Sequence, residues 1–515
     1  MSVRGGLVTR AEFLKTLGLA SLVGAAGAQG KSAPNVLFIA VDDLRPELGV
    51  YGAGHVHSPR IDALGRSGTV FTHAYCQQAL CNPSRASMMT GLRPDTLKVW
   101  NLQTDFRKTT PEAVTVTQAF MAGGYHAVNI GKIFHNVLPD AASWSEPDMQ
   151  LEGFPFDPDA VYRSDEDTVW IEHRKEQIRA AGNQKRFIDE LGQWYVKSSA
   201  TESPDVPDNA YYDGAQTDAA IVKLGELKAR KQPFFFGVGY YRPHLPFNAP
   251  KKYWDLYDRA AIPLSPNPFL PKDAPPMAAN MNRELRGYRD FSGAPMPHQG
   301  TVTEAEARRL RHGYFASVSY VDAQVGRLLD ELDRLQIADN TIVVLWGDHG
   351  WKLGDHNGWG KMTNYEVDTR VPLIIRAPGM RGGQVCQRLV ELVDVYPTLC
   401  ELAGLARRPE LEGKSLVPLL RDPKRRWKPA VFSQFLRDGI WVAPDGVEYM
   451  GYSIRTERYR YVEWFRWKDR EKVATELYDL RADPLENVNL REAQALQAQL
   501  AAQLHAGWRA AGRGL

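Results

Sequence analysis

The sequence is poor in cysteine, with only Cys76, Cys81, Cys386 and Cys400 in 515 residues. None stands in a C-x-x-C pair, so the spacing excludes a thiolate zinc site and a dense disulfide framework. An excess of charge of one sign is also missing. The 63 Lys and Arg against 61 Asp and Glu leave a formal net charge of +2. That balance gives no basis for a nucleic-acid face, and no nucleic-acid partner is expected. Beyond residue 28 no apolar run approaches the roughly 20 residues that cross a bilayer, so no stable membrane span is expected. Internal repeats are absent.

What is present is an ordinary globular composition, 43% hydrophobic and 24% charged, over a length that suits a large core domain and a smaller one. Arg4 and Arg10 precede an apolar run from Leu17 to Ala28, and Ala26-Gly27-Ala28 offers a small-residue cleavage site. Residues 1–28 therefore read as an export signal, twin-arginine-like around Thr9-Arg10-Ala11-Glu12-Phe13-Leu14-Lys15 but with one arginine missing, the alternatives being an uncleaved lipophilic anchor or a misassigned start. The mature chain is expected in the periplasm or outside the cell. Residues 29–440 then form the main domain and 441–515 a small C-terminal subdomain.

Apolar runs at Asn35–Val41, His126–Ile130, Phe234–Tyr240, Thr341–Trp346 and Val371–Arg376 predict buried strands. Helical patterns cover Thr115–Met121, Asp218–Arg230, Glu304–Leu335 and Val395–Leu402. Alternating helices and strands predict an α/β fold, a mostly parallel sheet sandwiched by helices, with an α+β C-terminal part. Residues 140–215 and 258–302 lack clear periodicity and read as long surface excursions.

Chemistry in such sheets gathers beyond the carboxyl ends of strands. Asp42-Asp43 and Asp348-His349 each follow a strand directly. Adjacent carboxylates repel, and a cation relieves them; a mostly oxygen donor set favours Ca2+ or Mg2+. Taken alone, an Asp-Asp pair is more readily a turn cap.

Cys81-Asn82-Pro83-Ser84-Arg85 fits C-x-P-x-R, and it continues to Thr90-Gly91-Leu92-Arg93-Pro94. This resembles the type I sulfatases of the alkaline phosphatase superfamily, in which a maturation enzyme oxidises that cysteine to formylglycine. Further matches follow in order: Gly131-Lys132-Ile133-Phe134-His135, Arg242-Pro243-His244-Leu245-Pro246-Phe247, Gly347-Asp348-His349-Gly350, Lys361 and Glu476-Leu477-Tyr478. Their spelling is similar to the iduronate-2-sulfatase branch, although Met362 stands where an aromatic residue is expected.

The resemblance implies an alkaline phosphatase-like fold and a formylglycine hydrate nucleophile made from Cys81. Asp42, Asp43, Asp348, His349 and an oxygen of the modified Cys81 would hold the divalent cation, Ca2+ or Mg2+. Arg85 would stabilise the anionic nucleophile, and Lys132 and Lys361 would bind sulfate oxygens. His244 would protonate the leaving oxygen, and His135 would deprotonate the second hydroxyl to expel sulfate. Trp351 is the expected stacking surface for a sugar, with Trp359 beside it and ordinary packing as the alternative for both. Gln77, Gln78 and Asn101 are further candidates for the pocket. The implied partners are a sulfated carbohydrate, above all a 2-O-sulfated uronic acid, and the formylglycine-generating enzyme. Two other readings fit the same motifs: a formylglycine-dependent phosphonate monoesterase or phosphodiesterase, and a non-catalytic glycan-binding protein.

Overall fold

A computed structural model describes residues 33–149, 151, 157–187, 196–279, 281–438, 443 and 445–513. The expected export signal at 1–28 lies outside the described residues. Pro34–Leu515 forms one compact unit.

Eight strands make the main sheet: β1 (Asn35–Val41), β2 (Thr69–Tyr75), β3 (His126–Gly131), β4 (Phe234–Tyr240), β5 (Thr341–Gly347), β6 (Arg370–Arg376), β7 (Gln384–Cys386) and β8 (Val390–Glu391). Their order is β7-β2-β6-β5-β1-β4-β3, with β8 also on β2. β6 runs antiparallel to both neighbours, and every other pairing is parallel. The sheet is therefore mixed and mostly parallel. β1 is apolar throughout because it is central and covered on both faces. Leu37, Ile39 and Val41 enter one hydrophobic core, and Val36, Phe38 and Ala40 the other.

Of helices α1 (Pro59–Ser67), α2 (Cys81–Thr90), α3 (Val116–Ala122), α4 (Asp165–Ala180), α5 (Tyr212–Ala229), α6 (Glu304–Arg334) and α7 (Val395–Leu402), all but α4 divide between the two layers, and α4 packs in a separate cluster through Ile171 and Ile178. α1, α5 and α6 pack on the first face, through residues such as Leu64, Leu224 and Leu310. α2, α3 and α7 pack on the second, through Met89, Phe120 and Leu399. α6 opens on a capping box between Thr303 and Glu306, which satisfies its first free N–H groups.

A second, antiparallel sheet follows: β9 (Ala430–Arg437), β10 (Tyr449–Thr456), β11 (Tyr459–Arg466) and β12 (Lys472–Asp479). Helix α8 (Gln494–Ala511) covers one face of it through Leu500. β9 lies before residue 441 and pairs with β10 after it.

Two sequence expectations differ from the structure. The excursion at 140–215 contains α4 and the first turn of α5. α4 buries Asp167, Ile171, Lys175 and Ile178, a helical stripe in which two of four positions are charged, so hydrophobic periodicity alone misses it. α5 likewise begins at Tyr212 rather than Asp218; its first turns bury Asp213, Gln216 and Thr217, polar residues again.

Candidate active site

The register of the sheet builds the centre. β1 and β5 are parallel neighbours with Val41 opposite Gly347, so the residues that follow, Asp42-Asp43 and Asp348-His349, emerge side by side. The Asp43 N–H donates to Asp348 Oδ1 at 3.1 Å, and Asp43 takes a left-handed backbone, φ 58°, as the chain turns out of the strand. All four residues are completely buried.

Cys81 is the first residue of α2, where the helix dipole favours negative charge. Its Sγ lies 3.2 Å from His349 Nε2 and 3.5 Å from Asp42 Oδ1. Burial, with Asp42 beside it, pushes the Cys81 thiol up to about 12. Among the residues present, nothing makes it a thiolate near neutral pH, so an unmodified Cys81 is a poor nucleophile. One helical turn on, the fully buried Arg85 donates from Nε to Asp348 Oδ2 at 2.8 Å and from Nη2 to Asp42 Oδ1 at 3.1 Å. Nη1 donates to the Ile133 carbonyl at 3.1 Å. Arg85 thus joins both strand ends to the loop after β3.

That loop carries Lys132, whose Nζ stands 2.5 Å from Asp42 Oδ2. The approach depends on Gly239 in β4: a Cβ there would come within 2.2 Å of the Lys132 backbone. Lys361 Nζ lies 2.8 Å from Asp43 Oδ1. Burial alone would raise Asp42, but Lys132 and Arg85 outweigh it and hold the carboxyl well below the usual range. Asp43 goes the other way: burial and the Asp42 charge push it well above that range, against Lys361.

The donor set suits a hard divalent cation. Single ligand atoms of Asp42, Cys81, Asp348 and His349 lie within 4.8 Å of one another, as do those of Asp42, Asp43 and His244. Three buried carboxylates, Asp42, Asp43 and Asp348, crowd together at the strand ends. Carboxylate oxygens with one imidazole match Ca2+ or Mg2+ rather than a thiophilic metal.

A cavity of about 460 Å³ opens over this centre, lined by Cys81, Lys132, His135, His244 and Lys361 among others. Burial and then Lys132 hold His135 well below the usual imidazole range, which favours its neutral form. Its Nδ1 has no hydrogen-bond partner among the described residues. Both ring nitrogens of His244 face acceptors: Nδ1 is 2.6 Å from the Leu245 carbonyl and Nε2 is 2.8 Å from Glu284 Oε1.

Not every expected residue reaches the cavity. Trp351 is fully buried and does not line it. Its ring lies 5.0 Å from Lys361 Nζ and packs against Phe247, so it supports the lysine from beneath and offers no free face to a sugar. Trp359 is equally buried. Gln77 lines a different cavity, and Gln78 donates to the Trp100 carbonyl. Asn101 accepts, through Oδ1, from the backbone of Thr104.

Conversely, the two excursions supply wall residues that the sequence did not single out: Lys197, Arg283, Glu284 and Tyr288. Glu284 also stands 3.5 Å from Lys361 Nζ. Burial alone would raise its carboxyl, but Lys361 and His244 outweigh it and hold Glu284 well below the usual range. Lys197 Nζ sits 4.8 Å from the Tyr288 ring.

The sulfatase family profile matches residues 34–405, and the profile of the N-sulphoglucosamine sulphohydrolase C-terminal region matches residues 354–510. The chain is 35% identical to iduronate 2-sulfatase of Homo sapiens over 89% of its own length and 91% of that protein. It is 34% identical to iduronate 2-sulfatase of Mus musculus, over 90% and 92%. Choline-sulfatase of Rhizobium meliloti is 30% identical, over 89% and 82%. Among solved structures, the phosphonate monoester hydrolase of Agrobacterium radiobacter superposes with a TM-score of 0.67 at 25% identity, over 93% of this chain and 95% of that one. A protein solved with its substrate D-glucosamine-2-N,6-O-disulfate gives a TM-score of 0.68 at 19% identity, over 93% and 98%, a likeness of fold.

Proposed function

The chain belongs to the sulfatase family and is a sulfuric ester hydrolase, and from that premise we propose that it removes sulfate from a carbohydrate. The preferred substrate is a 2-O-sulfated uronic acid at a chain end, within a wider class of sulfated polysaccharide fragments. The carrying observation is the single cavity that gathers Cys81, Lys132, His135, His244 and Lys361 from separate segments of the chain. The likeness to iduronate 2-sulfatases supports the choice of sugar.

In this reading Cys81 is oxidised to formylglycine by a maturation enzyme, and its hydrate is the nucleophile. Asp42, Asp43, Asp348 and His349, with the modified Cys81, would hold Ca2+ or Mg2+. When bound, the cation supplies positive charge that acidifies the nucleophilic hydroxyl and polarises the sulfate. Lys132 and Lys361 take the sulfate oxygens and balance charge as the S–O bond breaks. Arg85 fixes the carboxylates and offsets their charge. His244 delivers a proton to the departing sugar oxygen, and the neutral His135 accepts one when sulfate is expelled. Residues 1–28 act as the export signal, and the catalytic domain at 29–440 lends β9 to the subdomain at 441–515. Among the described residues no helix is long and apolar enough to cross a membrane.

Sulfate release from a panel of sulfated oligosaccharides, by matured protein loaded with Ca2+, tests the reading; no release from any of them overturns it. Mass spectrometry of the Cys81 peptide tests the nucleophile, since formylglycine is lighter than cysteine by about 18 Da. The structural likeness to a phosphonate monoester hydrolase favours a second reading, a phosphonate or phosphodiester substrate. A larger kcat/KM on an aryl phosphodiester than on the matching aryl sulfate would select it.

A further inference from the structure

Where β9 and β10 begin and end, at Ala430 and Thr456, the second sheet meets α8 in an open groove of about 840 Å³. It shares no lining residue with the catalytic cavity. Phe435, five residues along β9, packs with Leu80 and Met362 of the catalytic wall. Five strand residues span roughly 17 Å, which separates the two sites.

The groove is unusual in its polar inventory. Six of its residues are Lys or Arg, and Glu457 is the one carboxylate. Three of the cations are matched: Lys428 is 2.7 Å from Glu391, Arg458 is 2.6 Å from Asp479, and Arg388 is 3.5 Å from Glu457. Lys424, Arg426 and Arg481 are exposed and have no carboxylate within ion-pair distance among the described residues. Trp427 forms part of the floor, 8% exposed, with its indole nitrogen buried. Gln499 and Gln503, one turn apart on α8, add amide donors. Lysine and arginine side chains donate and cannot accept. A surface so rich in donors, holding three uncompensated charges on a chain whose formal net charge is only +2, suits a ligand made of anionic acceptors.

We propose that this groove is a second binding site, distinct from the catalytic cavity, for a sulfated glycan chain. Sulfate groups offer acceptors to Lys424, Arg426 and Arg481, and intervening hydroxyls and ring oxygens meet the amides of Gln499 and Gln503. The site holds a polymer on the enzyme independently of the sulfate being cleaved.

The test compares the full chain with a Lys424→Ala, Arg426→Ala, Arg481→Ala triple variant by titration with sulfated dextran oligosaccharides. All three positions are exposed, and a thermal melt checks that the fold is unchanged. Both proteins keep the same catalytic cavity, so the difference between them reports the groove. The wild type should bind with an affinity that falls as salt rises. The variant should bind at least about tenfold more weakly at low salt, with a salt slope lower by about three, one per lost cation. Sulfate release from a small aryl sulfate should be unchanged, and in the wild type it reports on the sulfatase reading separately. Equal binding by variant and wild type overturns the proposal. So does equal affinity of the wild type for unsulfated dextran, for duplex DNA or for anionic vesicles.

Discussion

Glu284 Oε1 lies 2.8 Å from His244 Nε2, and its other oxygen stands 3.5 Å from Lys361 Nζ. One partly buried carboxylate thus reaches both the residue assigned to the leaving group and one assigned to the sulfate. With the Leu245 carbonyl at Nδ1, Glu284 fixes the plane of the imidazole from the opposite side. Glu284→Gln keeps the shape but removes the charge. It should lower kcat on a sugar sulfate by about 10–100-fold, part of what a positioned general acid supplies. The loss should be smaller on an aryl sulfate, whose leaving oxygen needs less protonation. A rate series across leaving groups checks this; an equal loss on every ester would show that Glu284 does not act through His244.

Arg85 donates to two carboxylates and to backbone carbonyls with no exposure to water. Arg85→Met would leave Asp42 and Asp348 without that cation, and should destabilise the fold by about 3–5 kcal/mol. Arg85→Lys keeps the charge but has no fork to reach both carboxylates, so it should fall between. Urea denaturation read by circular dichroism measures both. A methionine variant within about 1 kcal/mol of wild type would mean that the pairing is not structural.

If Asp42, Asp43 and Asp348 hold a cation as proposed, their crowding makes its binding part of stability. Chelation should lower Tm, and Ca2+ at about 100 times its Kd should restore about 2.7 kcal/mol. Asp43→Asn should reduce that response, because it removes one anionic donor. Melts with and without Ca2+ suffice; a wild type whose Tm ignores both chelator and Ca2+ would refute a cation at these residues.

These residues differ in how far the sequence revealed them. Asp42-Asp43 and Asp348-His349 were legible because apolar runs mark the strands, and the ends of parallel strands are where sites form. Cys81 and Arg85 were legible because both the motif and the helical turn between them are local. Glu284 was not: its role comes from contacts with His244 and Lys361, 40 and 77 residues away, made by a segment without periodicity. Trp351 shows the converse. Its place between Asp348 and Lys361 suggested a sugar platform, yet the side chain turns inward, which sequence order does not report. The α/β layering followed from alternation of elements, whereas α4 escaped because its buried stripe includes Asp167 and Lys175.

Just beyond β1, Glu47 ties the active-site strand to α6. Its Oε2 is 3.0 Å from Arg45 Nε, and its Oε1 is 3.2 Å from Arg311 Nη2. Burial alone would raise this carboxyl, but Arg45, the His55 hydrogen bond and Arg311 outweigh it and bring Glu47 down to about 2. An unfolded glutamate titrates near about 4.3, so the folded state holds the charged form more tightly than the unfolded one. The resulting stability is fully present above pH ~4.3 and is lost as pH falls toward ~2. A shift of about two units corresponds to about 3 kcal/mol. Glu47→Gln should therefore destabilise the protein by about that amount at pH 7 and by progressively less between pH ~4.3 and ~2, where wild type loses the same interaction. Chemical denaturation of both proteins across that range measures the convergence; a constant difference between them at every pH would show that the charge of Glu47 contributes nothing.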